Sequence, residues 1–244
     1  GWGRDAWGSF AWGDNYSIQL TGLQASATFG GENKVLYSEE ITSWINSNML
    51  IAQDATAAPN GTTTADKCVP STANALHFVY QNSITVTGPL TYSVFAKASG
   101  YNFIKLFSGG SSICSANFNL ATGAVGTTGG SGFNSARITD FGNGWYRCEI
   151  TSNTSVSGAT TAGGVYVTSV ESSPVTSGFT EAGDGTSGAF LWGAQIEEGS
   201  VASGYNHTIA NPYISDVTAF TDVTASVTGQ QLTASFSHPS FSIQ

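Results

Sequence analysis

Short runs in which apolar and polar residues alternate recur along most of the chain, separated by glycine, proline, asparagine and serine. Runs of this kind, rich in β-branched and aromatic residues, are typical of β-strands. The predicted strands are 75–81, 83–87, 91–98, 102–107, 112–118, 136–139, 145–151, 164–170 and 189–196. Only 38–47, opened by Ser38, has the pattern of a short helical turn. Because no helices alternate with the strands, the pattern predicts an all-β antiparallel two-sheet sandwich and excludes a doubly wound α/β fold.

Glycine-rich turns mark where several of these strands begin. In APNGTTTADK (58–67), Pro-Asn-Gly predicts a tight turn and the threonines predict the start of a strand. Residues 142–144 predict a turn from which a strand starts at Trp145. Gly193, inside an apolar run, indicates a β-bulge or a close approach of backbone. Trp145 and Trp192 lie within apolar strands, so both are predicted to be core residues.

The two ends of the chain carry a sequence repeat. Residues 20–30 (LTGLQASATFG) align without gaps with residues 227–237 (VTGQQLTASFS). Each copy predicts a strand, a turn at its glycine and a second strand, with Phe29 and Phe236 on the apolar side. The final FSIQ, from Phe241, repeats the YSIQ that opens the first copy. We expect both copies in one layer outside the central domain, covered by each other, by that domain or by a neighbouring chain.

The N-terminal stretch GWGRDAWGSFAWGD holds three Trp-Gly pairs, at Trp2, Trp7 and Trp12. Their spacing places the tryptophans on no common face of a helix or a strand. The stretch has neither the apolar run of a secretory signal nor the apolar length of a membrane-spanning helix. It is predicted to be an extended arm whose tryptophans pack on their own domain, insert into a neighbouring chain or form an aromatic ligand strip.

The charge balance narrows the class of partner. Only 9% of the 244 residues are charged, and the net charge is −9 with seven scattered basic residues. Such a surface does not attract a phosphate backbone or an anionic membrane, which excludes nucleic-acid binding and membrane insertion. Neutral glycans and other proteins remain as partners. The hydrophobic content of 40% is sufficient for a core.

The cysteines and histidines show no disulfide or metal-binding pattern. Cys68, Cys114 and Cys148 are odd in number and lack a C-x-x-C spacing. We therefore expect buried free thiols, consistent with folding in a reducing cytosol. The histidines, which are predicted to be structural or surface residues, are His77, His207 and His238.

No catalytic motif of the G-x-S-x-G, P-loop or H-E-x-x-H type is present. The adjacent acids Glu39–Glu40 and Glu197–Glu198 would point to opposite faces of a strand, so neither pair flanks a glycosidic bond as a unit. Two glutamates from separate strands stay open as an alternative. We therefore predict that the chain is not an enzyme and has no catalytic residues.

Five blocks between residues 34 and 208 resemble the carbohydrate-binding-module-like jelly-roll domain of phage virion appendages and tail fibres. In chain order they are VLYSEEITSW, APNGTTTADK, LTYSVFAKA, GNGWYRCEI and GDGTSGAFLWGAQIEEGSVASGY. The Trp-Gly arm and the end repeats resemble segments of structural proteins from marine cyanophages. The resemblance implies a jelly-roll fold and a virion structural role. One departure is that YNHT (205–208), near which such a domain usually closes, leads into further strands.

The resemblance also implies a calcium hypothesis, because such domains often hold calcium through carboxylates and carbonyls near their ends. The acids in the matching blocks are Glu39, Glu40, Asp66 and Glu197. Calcium prefers six to eight oxygen ligands, and no continuous loop here supplies them. The chain is therefore predicted to hold no metal or cofactor, with a structural calcium at these acids as the alternative.

Sugar binding needs an exposed aromatic platform beside hydrogen-bonding groups. The candidate platforms are Trp44, Tyr80, Tyr101 and Tyr166. Core and surface aromatics look alike in sequence, so a core or rim position is the alternative for each.

These features divide the chain into four parts. They are a docking arm (1–15), an N-terminal β-repeat (16–33), a jelly-roll domain (34–210) and a C-terminal β-repeat segment (211–244).

The leading hypothesis is a non-enzymatic virion structural protein of the head, neck or tail, assembled in the host bacterial cytoplasm. It would join other virion proteins, and further copies of itself as a trimer, through its ends. The residues predicted for this docking are Trp2, Trp7, Trp12, Phe29, Phe236 and Phe241. One alternative is a tail-fibre adhesin that recognises host surface glycans. Another is a glycan-binding accessory module of a secreted polysaccharide-degrading enzyme, against which the cysteines and the end repeats weigh.

Overall fold

The structure is a computed structural model. It describes residues 32–109, 114–155, 163–171 and 179–210, and the backbone alone of 222–228 and 231–237. The chain divides into two compact units, one of Gly30–Ser215 and one of Gly1–Phe29 together with Asp216–Gln244.

Nearly all regular structure in these described residues is β-strand, apart from the short 3-10 helix Ile41–Ser43. The strands are β1 (Ile45–Ser47), β2 (Met49–Thr56), β3 (Ala65–Pro70), β4 (Ala75–Leu76), β5 (Phe78–Gln81), β6 (Leu90–Ser99), β7 (Phe103–Ser108), β8 (Cys114–Asn119), β9 (Ala124–Gly129), β10 (Phe133–Gly142), β11 (Trp145–Ser152), β12 (Gly163–Thr168), β13 (Thr180–Glu181), β14 (Gly188–Glu198), β15 (Asp222–Thr228) and β16 (Gln231–Ser237).

Two large antiparallel sheets contain most of these strands. The first sheet has the order β1-β5-β12-β7-β8-β9, and the second has the order β10-β11-β6-β14-β3-β2. Two further pairs, β4 with β13 and β15 with β16, are also antiparallel. The arrangement confirms the predicted all-β sandwich with two antiparallel sheets.

The inner faces of the two sheets share one apolar core. On β6, Leu90, Tyr92 and Val94 point into it and are fully buried, and Ile104 and Leu106 do the same on β7. Because side chains alternate between the faces of a strand, every second residue reaches the core. This alternation is the pattern from which the strands were predicted.

Most of the predicted strands are present, with shifted ends. Predicted strands 91–98, 145–151 and 189–196 correspond to β6, β11 and β14. The prediction of a strand at 83–87 is wrong, since this stretch contains only a single isolated β-bridge residue. Its first residue, Ser83, has φ 61°, which interrupts an extended backbone. Strands β1, β2, β9 and β13 had not been predicted.

Two local predictions need correction. Strand β3 begins at Ala65, after the threonines that were expected to open it. The 3-10 helix begins at Ile41, and Ser38 does not cap it. The Ser38 hydroxyl accepts a hydrogen bond from the Thr208 backbone N–H at 2.8 Å and bonds the Tyr205 hydroxyl at 2.7 Å.

Several local predictions are confirmed. Gly193 has φ 60°, and the pairing of β14 with β6 shifts register between Trp192 and Gln195, which is the expected bulge. Trp145 and Trp192 are both buried in an apolar cluster on the outer side of the second sheet. All three cysteines are free and buried.

The first and last fully described segments of the sandwich lie side by side. The Tyr37 N–H donates to the Ile209 carbonyl at 3.0 Å, and the Ser38 N–H donates to the Thr208 carbonyl at 3.1 Å. The buried amide of Asn33 donates two hydrogen bonds and accepts two, all with backbone groups of its own segment, of β14 and of the segment after β14. Because all four of its hydrogen-bonding positions are used, Asn33 joins the two ends of the sandwich.

The β15–β16 hairpin is the described part of the second unit. Its strands pair from Asp222 with Ser237 to Thr228 with Gln231. The pairing agrees with the strand–turn–strand pattern predicted for the second repeat. The docking residues Trp2, Trp7, Trp12, Phe29 and Phe241, and the side chain of Phe236, lie outside the described residues.

Candidate functional site

Aromatic side chains gather on the outer face of the first sheet, where β5, β12 and β7 are neighbours. On these strands Val79, Val165 and Leu106 point into the core. Side chains alternate along a strand, so the neighbouring residues point to the opposite, outer face. We call the four that carry aromatic rings, Phe78, Tyr80, Phe107 and Tyr166, the aromatic face.

The rings of the aromatic face contact one another across three strands. Phe78 stacks on Tyr80 with ring centroids 5.4 Å apart and planes at 29°. Tyr166 lies 4.8 Å from Phe78 and 5.1 Å from Phe107, again between centroids. Aromatic pairs at these separations are favourable beyond the area that they bury. The four side chains therefore form one continuous surface.

Gly164 makes the middle of this surface flat. The register places it between Tyr80 on β5 and Phe107 on β7. A Cβ atom at this position would lie 2.4 Å from the ring of Phe107, so the ring occupies space that any other residue would need. The glycine is thus required by the close approach of an aromatic ring to the backbone.

The accessible part of the aromatic face lies toward the β1 edge of the sheet. Phe78 and Tyr80 are half-buried, whereas Phe107 and Tyr166 are buried. Ile45 of β1 pairs with Tyr80 and is 40% exposed, which extends the apolar surface by one strand. A flat ligand on this sheet would therefore meet Tyr80, Phe78 and Ile45 first.

A buried cation lies beside the aromatic face. Lys105 pairs with Tyr166 across β7 and β12, and its Nζ is 5.2 Å from the centre of the tyrosine ring. The side chain is almost completely buried. Burial lowers the pKa of Lys105 to about 8, because removal from water disfavours the charged form. The ring face of Tyr166 stabilises the charge that remains.

The other two predicted platforms lie elsewhere. Trp44 is buried among the residues of the main core, and its Nε1–H donates to the Tyr37 carbonyl at 3.1 Å. Tyr101 is half-buried at the connection from β6 to β7, where its hydroxyl accepts a hydrogen bond from the Asp184 N–H at 3.3 Å. Of the four candidates, the structure brings together Tyr80 and Tyr166.

The four acids proposed for calcium have separate hydrogen-bonding partners. Asp66 is buried and accepts from the backbone N–H groups of Ile41 at 2.7 Å and Asp54 at 3.0 Å. Burial raises the pKa of Asp66, and these backbone donors oppose the shift. Glu39 accepts from the Tyr205 hydroxyl, and Glu40 accepts from a nearby serine hydroxyl.

Glu197 belongs to a buried polar cluster on the outer face of the second sheet. It accepts from the Gln195 side chain at 2.9 Å and from the Ser203 N–H at 3.0 Å. The guanidinium of Arg147 donates to the Ser203 carbonyl at 2.6 Å and to the Ser93 hydroxyl at 2.9 Å. These contacts hold the segment after β14 against the sheet. Among the residues that the structure describes, no group of three or more His, Cys, Asp or Glu could hold a metal ion.

His77 also has a structural role, because both of its ring nitrogens contact backbone carbonyls. It is buried, and its Nδ1 lies 2.8 Å from the Asn48 carbonyl. Its Nε2 lies 3.0 Å from the Ala73 carbonyl and 2.9 Å from the Glu181 carbonyl. The ring therefore connects three separate segments of backbone near the β4–β13 pair.

Sequence reasoning missed Phe78, Phe107 and Lys105 as members of the site. The alternating pattern placed each on one face of its own strand, opposite the core residues. It carried no information about which strands are neighbours, because β5, β7 and β12 are far apart in the chain. Only the order of strands in the sheet brings these side chains next to Tyr80 and Tyr166.

Comparison with protein-family models and with curated proteins found no match for this chain. In the described portion of the chain, no helix has the length and apolar character needed to cross a membrane. The functional argument therefore depends on the geometry of the sandwich and on the sequence blocks within it.

Proposed function

We propose that the chain is a non-enzymatic virion structural protein whose sandwich, of jelly-roll type, is displayed from the particle and whose terminal segments provide assembly. The observation that supports this most is the adjacency of the two ends of the sandwich, where 33–38 runs beside 205–209. A body whose two ends emerge together suits display from a base formed by the flanking segments. The five sequence blocks that resemble phage appendage domains support the same assignment.

The buried polar cluster explains why two of these blocks have their composition. Arg147 comes from GNGWYRCEI, and Gln195 and Glu197 come from WGAQIEEG. All three side chains hold the segment after β14 on the second sheet. Their role in this proposal is to position the exit of the chain from the sandwich, and no reaction is assigned to them.

The proposed partners are other virion proteins and further copies of the chain, with a trimer as the first expectation. Assembly in the reducing cytoplasm of a host bacterium agrees with three buried free thiols. The proposed localisation is the virion.

The test is incorporation into particles. We expect the chain to copurify with intact virions, and replacement of Trp2, Trp7 and Trp12 together by alanine to abolish incorporation, since anchor aromatics commonly contribute ~2 kcal/mol or more each. The variant should keep the melting temperature of the sandwich. Normal incorporation of the triple variant would show that the arm is not the docking element, and absence of the chain from virions would reject the proposal.

A receptor-binding adhesin that recognises host surface glycans is the second candidate, favoured by the aromatic face. Flat rings such as Tyr80 and Phe78 pack against the apolar side of a sugar ring, and Ser47, which pairs with Phe78 on the adjacent β1, provides a polar group on the same face. We expect Tyr80→Ala to abolish binding to host surface polysaccharide. Phe141→Ala is the matched control, because Phe141 is 49% exposed on a different sheet. Equal binding by wild type and Tyr80→Ala would reject this candidate and leave the structural role untouched.

A further inference from the structure

Two lysines flank an aromatic ring on the outer face of the second sheet. The register pairs Phe190 of β14 with Lys67 of β3 on one side and with Lys97 of β6 on the other. Residues that pair directly across antiparallel strands share a face of the sheet. Cys68 and Ala96, which adjoin the two lysines along their strands, belong to the core, so the row faces outward. We call these three side chains the cationic row.

All three side chains of the cationic row are half-buried, so each keeps a part at the surface. Phe190 packs on the apolar cluster that contains Trp145 and Trp192, which holds its ring in place. The stem of Lys97 runs beside Gly144, where a Cβ atom would lie 3.6 Å from the lysine Cε. Gly144 adjoins β11, which lies on the opposite side of β6 from β14. The lysine stem therefore leaves the ring between the two cations uncovered on that side.

The other basic residues in the described part of the chain have partners. They are Lys34, Lys105, Arg137 and Arg147, which lie against Glu32, Tyr166, Glu149 and Ser203 respectively. Lys67 and Lys97, by contrast, make no salt bridge and no side-chain hydrogen bond with the residues that the structure describes. The two described cations without a partner are thus neighbours in one row, separated by a single ring.

The spacing of the cationic row limits the size of a matching ligand. Lys67 and Lys97 are two interstrand distances apart, which is about 10 Å between their backbones. A sugar ring can place its apolar side on Phe190, and anionic groups on that sugar or its neighbours can then pair with the ammonium groups. A specific protein partner needs a contact of ~800 Å² on each side, which a row of three side chains does not supply.

We propose that the cationic row binds an acidic saccharide, with Phe190 under a sugar ring and the two lysines paired with its carboxylate or sulfate groups. The charge complementarity is local, because the chain as a whole has a net charge of −9. Salt screens exposed charges beyond about 8 Å at physiological ionic strength, so the adjacent ammonium groups dominate at the row. The row lies on the other sheet from the aromatic face, so the proposal depends neither on that candidate glycan site nor on assembly into virions.

Calorimetric titration with charged and neutral forms of one sugar tests the class of ligand. The first pair of probes is oligogalacturonate and its methyl ester, which has the same rings without free carboxylates. The second pair is a sulfated κ-carrageenan oligosaccharide and a neutral agarose oligosaccharide, so the two pairs distinguish carboxylate from sulfate. We expect at least one acidic probe to bind about tenfold or more tightly than its neutral counterpart, and added salt to weaken that binding.

Substitutions in the row locate the binding. Lys67→Met combined with Lys97→Met should weaken binding of the acidic probe by about tenfold or more, because both ionic contacts are lost. Phe190→Leu should weaken it as well, since the flat ring is removed. Lys34→Met is the matched control, because Lys34 is already paired with Glu32 at 2.7 Å and should leave the affinity unchanged. If the methionine variant melts at a lower temperature than wild type, glutamine at both lysine positions replaces it in the same titration.

The outcomes are distinct from those of the tests above. Failure of both acidic probes to bind the wild-type chain overturns the proposal, and so does equal binding of the neutral counterparts or of the double lysine variant. Oligoglutamate that binds as tightly as the acidic sugars would assign the row to acidic protein segments and overturn the saccharide class. Loss of acidic-sugar binding in Tyr80→Ala would place the ligand on the first sheet, whereas full binding by that variant supports a separate site on the second sheet.

Discussion

The two outer faces of the sandwich both carry clustered aromatic residues, and they differ in what lies over them. On the second sheet, Trp192 lies 5.3 Å from Phe95 and 4.7 Å from Tyr205 between ring centroids, and Tyr205 belongs to the segment that follows β14. On the first sheet, Phe78 and Tyr80 stack on each other and remain half-buried. The same residue types form a second core where a loop covers them and an accessible surface where the sheet is less covered.

Hydrogen bonds from the polar atoms of aromatic side chains hold covering segments against the outer face of the second sheet. The indole N–H groups of Trp145 and Trp192 donate to the Ala57 carbonyl and the Thr64 hydroxyl, both in the connection between β2 and β3. Tyr205 bonds Ser38 at its hydroxyl. These two tryptophans and the tyrosine are thus each tied to a covering segment through a polar atom, for which buried tryptophan and tyrosine usually need a partner.

The largest expected effect is on the covered face. Trp192→Ala should lower the free energy of unfolding by about 3–5 kcal/mol, because a buried indole leaves a cavity and the Thr64 hydroxyl loses its donor. Chemical denaturation measures this. Phe141→Ala is the control, since Phe141 contacts the same Phe95 ring from an exposed position and should cost about 1 kcal/mol or less. Equal losses in the two variants would show that the second sheet is not covered as described.

The aromatic face should show a specific dependence of stability on pH through Lys105. Its pKa is lowered to about 8 in the folded protein, below the value of 10.5 in a free side chain. Between these values the unfolded chain binds more protons, so this group makes stability rise with pH, by up to ~1.4 kcal/mol per pH unit.

To isolate the contribution of Lys105, the free energy of unfolding of wild type is compared with that of Lys105→Met from pH 8 to pH 10. Buried thiols oppose the rise in both proteins, since burial raises the pKa of Cys114 to about 12 and its stabilisation is lost above the pKa of the unfolded thiol. The stability of wild type relative to the variant should therefore increase with pH. If the difference in unfolding free energy between wild type and Lys105→Met stays constant or decreases as pH rises, the lysine keeps its ordinary pKa in the folded protein.

Removal of a ring from the accessible part of the aromatic face should have a smaller effect on stability. Tyr80 is half-buried, so Tyr80→Ala should lower the free energy of unfolding by about 1–2 kcal/mol. The loss should be well below that of Trp192→Ala in the same denaturation assay. If the two variants are equally unstable, Tyr80 is a core residue and the contrast between the two faces fails.

The smallest expected effect concerns a buried polar atom between the sheets. Among the residues that the structure describes, none bonds the hydroxyl of Tyr92, although the side chain is fully buried. Tyr92→Phe removes a desolvated group without leaving another unpaired, so stability should stay equal or rise by about 1 kcal/mol. Tyr205→Phe is the contrasting control, because its hydroxyl bonds Ser38 and Glu39 and its loss should destabilise. A clear loss of stability in Tyr92→Phe would reveal a partner for that hydroxyl.

The sequence was informative wherever a structural feature is local. Alternation located most strands, glycine at position 193 marked the bulge, and Trp145 and Trp192 were identified as core residues. It failed at 83–87, where a left-handed Ser83 breaks an extended run that has the right composition. It also failed at the edge strand β2, much of which is exposed, so no clear apolar alternation marks it.

The sequence by itself determined that the chain is rich in β-strands, that its basic residues are few and scattered, and that its two ends carry one repeat of alternating apolar and polar residues. Only the tertiary structure decided that Tyr166 and Phe107, from distant strands, lie beside Phe78 and Tyr80, and that Trp44 does not. The reason is physical. The period of a strand is set by its own backbone, whereas the order of strands in a sheet is set by contacts between residues far apart in the chain, and no local pattern encodes that order.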